Sequence, residues 1–242
     1  MITALRRLVR AHAPEAPRLA VAQVRRIARD RLTGDAQRLV RRANTTSESQ
    51  CRVVDIAQPI RTTAFAEGKL ANIRLGASLL DGVTIAPGAI FSFWALVGRP
   101  SARAGFAVGR SIRAGLVAGE IGGGLCQVSG IVYELLLRAG LDPLERHAHS
   151  RDLYTEEDRF TPLGLDATVV WPYRDVRFAN ALGVPVTLRF AVEGMELRAS
   201  LHAPVAIAAM DLAIERVDHP DRREVRVTRN GVPVSRDRYA LA

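Results

Sequence analysis

The stretch "EIGGGLCQVSG" places a cysteine directly after a run of bare backbone. Cys126 stands two residues after Gly122–Gly124, and apolar residues at helical spacing begin at Val128. Unpaired N–H groups and the helix dipole at a helix N-terminus favour an anion, so a thiolate is stabilised there relative to a thiol. The spacing therefore predicts a nucleophilic sulfur at a helix start, approached over glycines that leave room for a substrate carbonyl.

Histidines and a carboxylate follow the cysteine in chain order. In "LERHAHS" the alternation of a strand would put Glu145, His147 and His149 on one face, with Arg146 on the other. Asp166 opens the next predicted strand, "DATVVW". The order thiolate, imidazole, carboxylate is that of a nucleophile, its base and the group that orients the base. We predict Cys126, His149 and Asp166 as catalytic residues.

Further residues near these three are predicted to contact a substrate. The glycines would let it approach, and the Gln127 amide or the local backbone would stabilise an oxyanion. Glu145 and Arg146, together with Tyr133, would shape the pocket. The predicted substrate-binding set is Gly122, Gly123, Gly124, Gln127, Glu145 and Arg146.

A metal site is the alternative to covalent chemistry. His147 and His149, with Cys126 and either Glu145 or Asp166, offer the nitrogen, sulfur and oxygen ligands that zinc accepts. No paired CxxC or HExxH spacing accompanies them, so no metal and no cofactor is our working expectation.

The surrounding pattern predicts an α+β fold. Val128, Ile131, Val132, Leu135 and Leu136 form a helical stripe that Gly140 ends, which indicates a helix from about Leu125 to Ala139. Short strand-like runs follow it, with turns at Glu193-Gly194 and Asn230-Gly231. A central helix on a mainly antiparallel sheet is expected, with elements in the order of papain-like and transglutaminase-like enzymes.

The net charge of +9 is concentrated at one end of the chain. Residues 1–42 hold eleven arginines and three acidic residues, whereas the remaining 200 residues carry 23 basic and 22 acidic groups. We therefore predict a basic helical arm over residues 1–44, joined through "TTSES" to one domain over residues 45–242. The arm either adsorbs to an anionic membrane surface or packs on the domain through its Leu/Val side. Nucleic acid is not an expected partner, because the body is nearly neutral.

Nothing in the sequence indicates a membrane span or a secretory signal. We expect a cytoplasmic protein, located peripherally at the inner face of the membrane if the arm adsorbs there. Cys51 and Cys126 are too few for a disulfide framework and should be free thiols.

Five ordered motifs resemble those of the VanW family: "PGAIFSFWALVG", "GGGLCQVSG", "AGLDPLERHAHS", "PLGLDATVVW" and "DVRFAN", within Asn72 to Asn180. Family members usually have serine or threonine at a place held here by Gly130. The family pattern fixes His149 more firmly than His147, which favours the set Cys126, His149 and Asp166 over a metal site. The family is associated with glycopeptide resistance, which implies a peptide-like or peptidoglycan-precursor substrate. Either a cysteine-dependent amide hydrolase or acyl transferase, or a non-catalytic binding module, is consistent with this resemblance.

Overall fold

The computed structural model describes residues 15–41, 51–61, 64–113 and 116–241, and shows a mixed α+β fold. The helices are α1 (Glu15–Leu32), α2 (Asp35–Arg38), α3 (Ala66–Leu80), α4 (Phe93–Val97) and α5 (Leu125–Arg138). The strands are β1 (Cys51–Pro59), β2 (Thr84–Ile85), β3 (Ile90–Ser92), β4 (Val108–Arg113), β5 (Leu116–Ile121), β6 (Asp142–Glu145), β7 (Arg151–Asp152), β8 (Arg177–Ala179), β9 (Val186–Glu193), β10 (Glu196–Ala203), β11 (Leu212–Asp218), β12 (Arg222–Arg229) and β13 (Val232–Leu241).

The strands form mostly antiparallel sheets, as predicted. Their orders are β1-β10-β9-β2, β11-β12-β13-β7, β3-β8-β6 and β4-β5. The pairing of β13 with β7 is parallel, and this pairing joins the last strand to the segment that follows the two histidines. Both predicted hairpins are present, with Gly194 at a φ of 56° between β9 and β10 and Asn230-Gly231 at 49° and 79° between β12 and β13.

Helix α5 lies in the core and confirms the predicted helix within one residue. The five side chains of its predicted stripe are fully buried. It packs on β1, β10 and α3. The approach of α3 is close at Gly76, where an added Cβ would lie 2.8 Å from Leu125 Cδ2. Gly140, at a φ of 90°, follows the end of the helix in the conformation that ends helices.

Two predicted strands are wrong, and these are the segments that carry His149 and Asp166. Strand β6 ends at Glu145, and residues 163–169 form turns and extended backbone outside any sheet. A single backbone bond joins the two segments, from the Thr168 N–H to the His147 carbonyl at 2.8 Å. Side chains supply the other contacts, because Arg146 Nε donates to the Asp166 carbonyl and the His149 N–H donates to Asp166 Oδ2, each at 2.8 Å. The papain-like order of elements is therefore not reproduced, since neither His149 nor Asp166 lies on a strand.

The described part of the basic segment has Val40 packed in the core and the apolar residues of α1 mostly exposed, so both readings of the segment stay predictions. Exposed apolar residues line α1 at Val21, Val24, Ile27 and Leu32. The face that contacts the body is polar, with Arg26 bound to Glu145 and Asp30 bound to Arg177. Adsorption to an anionic membrane stays a prediction. The "TTSES" linker and the first fourteen residues lie outside the described residues.

The search for candidate membrane spans found none: within the described ranges, no helix combines the length and the apolar character that a bilayer crossing requires.

Candidate functional site

The glycine run forms a tight turn between β5 and α5. Gly122 and Gly124 have φ values of 83° and 104°, which side chains disfavour. Gly123 touches β4, where an added Cβ would lie 2.2 Å from the Gly109 carbonyl oxygen. Asn72 of α3 holds this turn in place, because its Nδ2 donates to the Gly123 carbonyl at 2.9 Å. The backbone is thus fixed immediately before the cysteine.

Cys126 is the second residue of α5 and is partly buried. Its Sγ lies 3.6 Å from Thr168 Oγ1. The pKa of the thiol is lowered overall: burial, the largest influence, raises it, but hydrogen bonding and charge from His149 outweigh burial, with help from Thr168. The Cys126 backbone N–H belongs to the first turn of α5, where N–H groups have no carbonyl partner within the helix. It is available to an oxyanion, as the predicted role of the local backbone requires.

His149 is oriented by Asp166. Its Nδ1 lies 2.7 Å from Asp166 Oδ2, which leaves Nε2 for the sulfur. Burial opposes charging of the ring, but Asp166 and Cys126 together raise the pKa of His149 to about 10. In the same way burial opposes ionisation of Asp166, yet His149 and Arg146 bring its pKa down to about 2. These shifts favour the ion pair of thiolate and imidazolium over the neutral thiol and imidazole, with Asp166 as the carboxylate beside them.

The other oxygen of Asp166, Oδ1, is held by Tyr239 and Arg146. Tyr239 donates to Oδ1 at 2.5 Å, and Arg146 Nη2 lies 3.1 Å from the same oxygen. Arg146 also bonds the Gly164 carbonyl and Asp237, and its side chain is only 7% exposed. Burial and the charge of Asp166 raise the pKa of Tyr239, so its phenol remains a donor. This network fixes the carboxylate that fixes the imidazole.

The remaining predicted substrate-binding residues divide into two groups. Gly122–Gly124 and Gln127 line the larger of two cavities at the sulfur. The Gln127 amide nitrogen is already engaged with the Pro59 carbonyl at 2.9 Å. Glu145 and Arg146 line neither cavity and instead hold Arg26 and Asp166, respectively. Contact between these two side chains and a substrate stays a prediction, while their observed contacts are those of positioning residues.

His147 lies apart from His149. Its Nε2 is 3.1 Å from Glu145 Oε1. Within the described ranges, no three side chains of His, Cys, Asp or Glu are grouped to hold a metal ion. The strand face that would have joined the two histidines does not form, because the sheet pairing stops at Glu145.

Two cavities meet at the sulfur. The smaller has a volume of about 180 Å³ and extends past Asp166 and Tyr239. The larger, of about 780 Å³, extends over the glycine turn towards Lys69, Arg110 and Trp171. The residues common to both are Cys126, His149, Tyr154, Phe160, Thr168 and Val170. A substrate can therefore reach the sulfur from two directions.

The sequence interpretation missed Tyr239, Thr168 and Lys69. Tyr239 is 73 residues from Asp166 along the chain, and no local pattern connects them. Thr168 lies in the quoted motif "PLGLDATVVW", so its closeness to Asp166 was an available signal. Lys69 lies outside the motifs that the sequence analysis singled out, and a lysine in a helix gives no indication of a cavity.

The site and fold define an α+β protein with a cysteine at a helix N-terminus and a histidine–aspartate pair on the loops beside it. A family model described as "VanW like protein" matches residues 68–202, more than half of the chain. The chain belongs to the VanW family.

Two curated relatives share this region. The chain is 35% identical over 118 residues to "Uncharacterized protein YoaR" of Bacillus subtilis (strain 168), covering 49% of this chain and 37% of the relative. It is 30% identical over 116 residues to "Vancomycin B-type resistance protein VanW" of Enterococcus faecalis (strain ATCC 700802 / V583), covering 48% of this chain and 42% of the relative. The match thus spans less than half the length of each relative. No solved structure matches significantly.

Proposed function

We propose that this protein is a cysteine-dependent enzyme that cleaves an amide bond and transfers the acyl group, acting on a peptide-like substrate related to the cell wall. The observation that carries the proposal is the 2.7 Å contact between Asp166 and His149, whose imidazole lines the same two cavities as the Cys126 sulfur at the start of α5. A thiolate paired with an imidazolium is the activated form of a cysteine nucleophile.

The steps follow from the charges of these groups. The Cys126 thiolate attacks the substrate carbonyl carbon, and the resulting oxyanion is stabilised by the Cys126 N–H and the N-terminus of α5. His149 donates its proton to the departing amine as the C–N bond breaks, leaving a thioester on the sulfur. Neutral His149 then accepts a proton from an incoming amine or water, which attacks the thioester and releases the thiolate.

The paired cavities support transfer to an amine as well as hydrolysis. An acyl transferase binds a donor and an acceptor in turn, and both must reach the same atom. The two cavities share the sulfur and the imidazole but extend in different directions from them. This arrangement provides one space for the donor and another for the acceptor.

The proposed link to the cell wall rests on the name of a relative. The Enterococcus faecalis protein is called a vancomycin B-type resistance protein, and its match of 116 residues lies in the family shared with this chain. Peptidoglycan precursors, which carry peptide stems, are therefore the substrates to test first.

Alkylation of the thiol tests the proposal. Iodoacetamide at pH 7 should label Cys126 at least ~10-fold faster than Cys51, an exposed thiol that serves as the internal control. His149→Ala should remove this advantage, whereas His147→Ala should retain it because that ring contacts Glu145 instead. Equal labelling of both cysteines in folded wild-type protein would refute an activated nucleophile.

Mass spectrometry then tests the substrate class. Incubation with a library of peptidoglycan precursors should leave an acyl adduct on Cys126 that is absent from Cys126→Ala. If Cys126 is alkylated fast but no precursor leaves an adduct, the proposal of an activated thiol stands and the proposal of a peptidoglycan-precursor substrate is rejected.

A further inference from the structure

A buried cation faces the larger cavity without an acidic partner. Lys69 of α3 is 6% exposed, and its Nζ donates to the Arg61 carbonyl at 3.3 Å. It forms no ion pair with any residue of the described ranges. Burial and the charge of Arg110 lower its pKa to about 8. Its ammonium lies over the Phe160 ring at 5.9 Å, and a buried cation with no carboxylate partner among the described residues is suited to a negative charge supplied by a ligand.

Lys69 and Arg110 both adjoin the glycine turn that precedes Cys126. A Cβ added at Gly124 would lie 2.9 Å from Lys69 Cγ, and one added at Gly123 would lie 2.8 Å from the Arg110 carbonyl carbon. The Arg110 guanidinium is held by the Tyr154 hydroxyl, to which Nη1 donates at 3.2 Å. Both cations therefore line the cavity on the side where the N-terminus of α5 also favours an anion.

The carboxylate in the same cavity wall does not replace such a ligand for Lys69. Glu120 accepts a hydrogen bond from Ser111 Oγ at 2.7 Å. The charge that acts on Lys69 most strongly is that of Arg110, which is repulsive. The two cations lie over the rings of Phe160 and Tyr154, whose centroids are 5.6 Å apart, and an anion that binds in this cavity is attracted by both.

We propose that Lys69 and Arg110 form an anion-binding subsite next to Cys126, which receives a free carboxylate of the acyl donor. This inference rests on the proposed function, since it names a feature of the substrate for the same sulfur. A lysine and an arginine fork can together engage both oxygens of a carboxylate. The subsite would hold the donor in the larger cavity and leave the smaller cavity for the acceptor.

Two alkylating reagents, one anionic and one neutral, test the subsite. Iodoacetate carries a carboxylate and iodoacetamide does not, so the ratio of their rates at Cys126 reports an anion site beside the sulfur. Lys69→Met keeps the buried volume without the charge and should lower this ratio roughly fivefold or more. Arg110→Gln should lower it as well, and Lys69→Arg should retain most of it.

The matched control is Arg103→Gln, which removes one positive charge from an exposed residue of the neighbouring 3₁₀ turn. Its ratio should equal that of wild type. An unchanged ratio in both Lys69→Met and Arg110→Gln would overturn the subsite while leaving the reactive thiol intact.

A second measurement does not depend on the sulfur. Glutarate, a dicarboxylate, should raise the thermal unfolding midpoint of wild type and of Cys126→Ser, and should do so less for Lys69→Met. If neither reagent labels Cys126 rapidly, the proposed nucleophile fails, and the glutarate shift alone decides the subsite. Equal shifts in wild type and Lys69→Met would then overturn it.

Discussion

His149 Nδ1 and Asp166 Oδ2 are 2.7 Å apart, and the same carboxylate oxygen accepts the backbone N–H of His149 at 2.8 Å. One oxygen therefore fixes both the ring and the main chain of the histidine. This double contact sets the tautomer of the imidazole and directs its other nitrogen to the cysteine.

Asp166→Asn should change the pH dependence of thiol alkylation. In wild type the pKa of Cys126 is lowered and that of His149 is raised to about 10, so the iodoacetamide rate at pH 7 should exceed that of an ordinary thiol. Without the carboxylate charge the pKa of His149 falls and that of Cys126 rises. The alkylation rate at pH 7 should drop. It should then rise with pH as the thiol ionises, with a midpoint near the ordinary thiol pKa of about 8.5. Asp221→Asn, at an exposed carboxylate, is the control; superimposable profiles for Asp166→Asn and wild type would contradict this mechanism.

Tyr239→Phe should destabilise the fold by about 1–3 kcal/mol. The hydroxyl donates to Asp166 and accepts from the Gly164 N–H at 2.9 Å, so its loss leaves a buried donor without a partner. Urea unfolding measures the effect. Tyr173→Phe, at a residue that is 49% exposed, should change the free energy of unfolding by less than about 0.5 kcal/mol. A loss no larger for Tyr239 than for Tyr173 would argue against the network.

Gly123→Ala should disrupt the turn before the nucleophile. Its methyl group would lie 2.2 Å from the Gly109 carbonyl oxygen, which is backbone and cannot move independently of β4. We expect a loss of at least about 1–3 kcal/mol in unfolding free energy, together with slower alkylation of Cys126. Gly183→Ala is the matched control, since a Cβ there meets nothing within 4 Å. Wild-type stability and labelling in Gly123→Ala would show that the close approach is unimportant.

Arg26→Gln should release α1 from the body. Its guanidinium lies 2.9 Å from Glu145 Oε1 and 3.3 Å from Asp175 Oδ2, and the Asp175 side chain is fully buried. Asp175 keeps Arg177 at 3.1 Å after the change, so the cost is that of lost hydrogen bonds to charged groups, about 1–3 kcal/mol. Hydrogen exchange of the α1 amides should accelerate, whereas Arg25→Gln, on the exposed side, should leave it unchanged. Equal exchange in the two variants would show that this contact does not retain α1.

The sequence was sufficient to predict those elements whose structure depends on the local pattern of residues. The apolar spacing from Val128 to Leu136 and the glycines on either side defined α5 within one residue. The chain order of cysteine, histidine and aspartate identified side chains that the fold brings together. Asn230-Gly231 placed a hairpin correctly because two positive φ angles favour those residues.

The failures involve polar side chains whose partners are distant in sequence. Residues 146–149 alternate like a strand, but Arg146 turns inward to Asp166 and Gly164, and the chain leaves the sheet. Helix α1 has the expected helical spacing, but its contacts through Arg26 and Asp30 went unpredicted because their partners are buried charges more than 100 residues away. Periodicity gives the apolar face of an element, but it cannot reveal that a salt-bridged face also makes contact.

The pairing of Tyr239 with Asp166 has a consequence for when the site becomes competent during synthesis. A nascent chain that has already produced Cys126, His149 and Asp166 must extend a further 73 residues before Tyr239, whose phenol secures the carboxylate, has been made. Asp166 is thus fully held only when β13 joins its sheet, so a partly made chain has the histidine and the carboxylate without this donor.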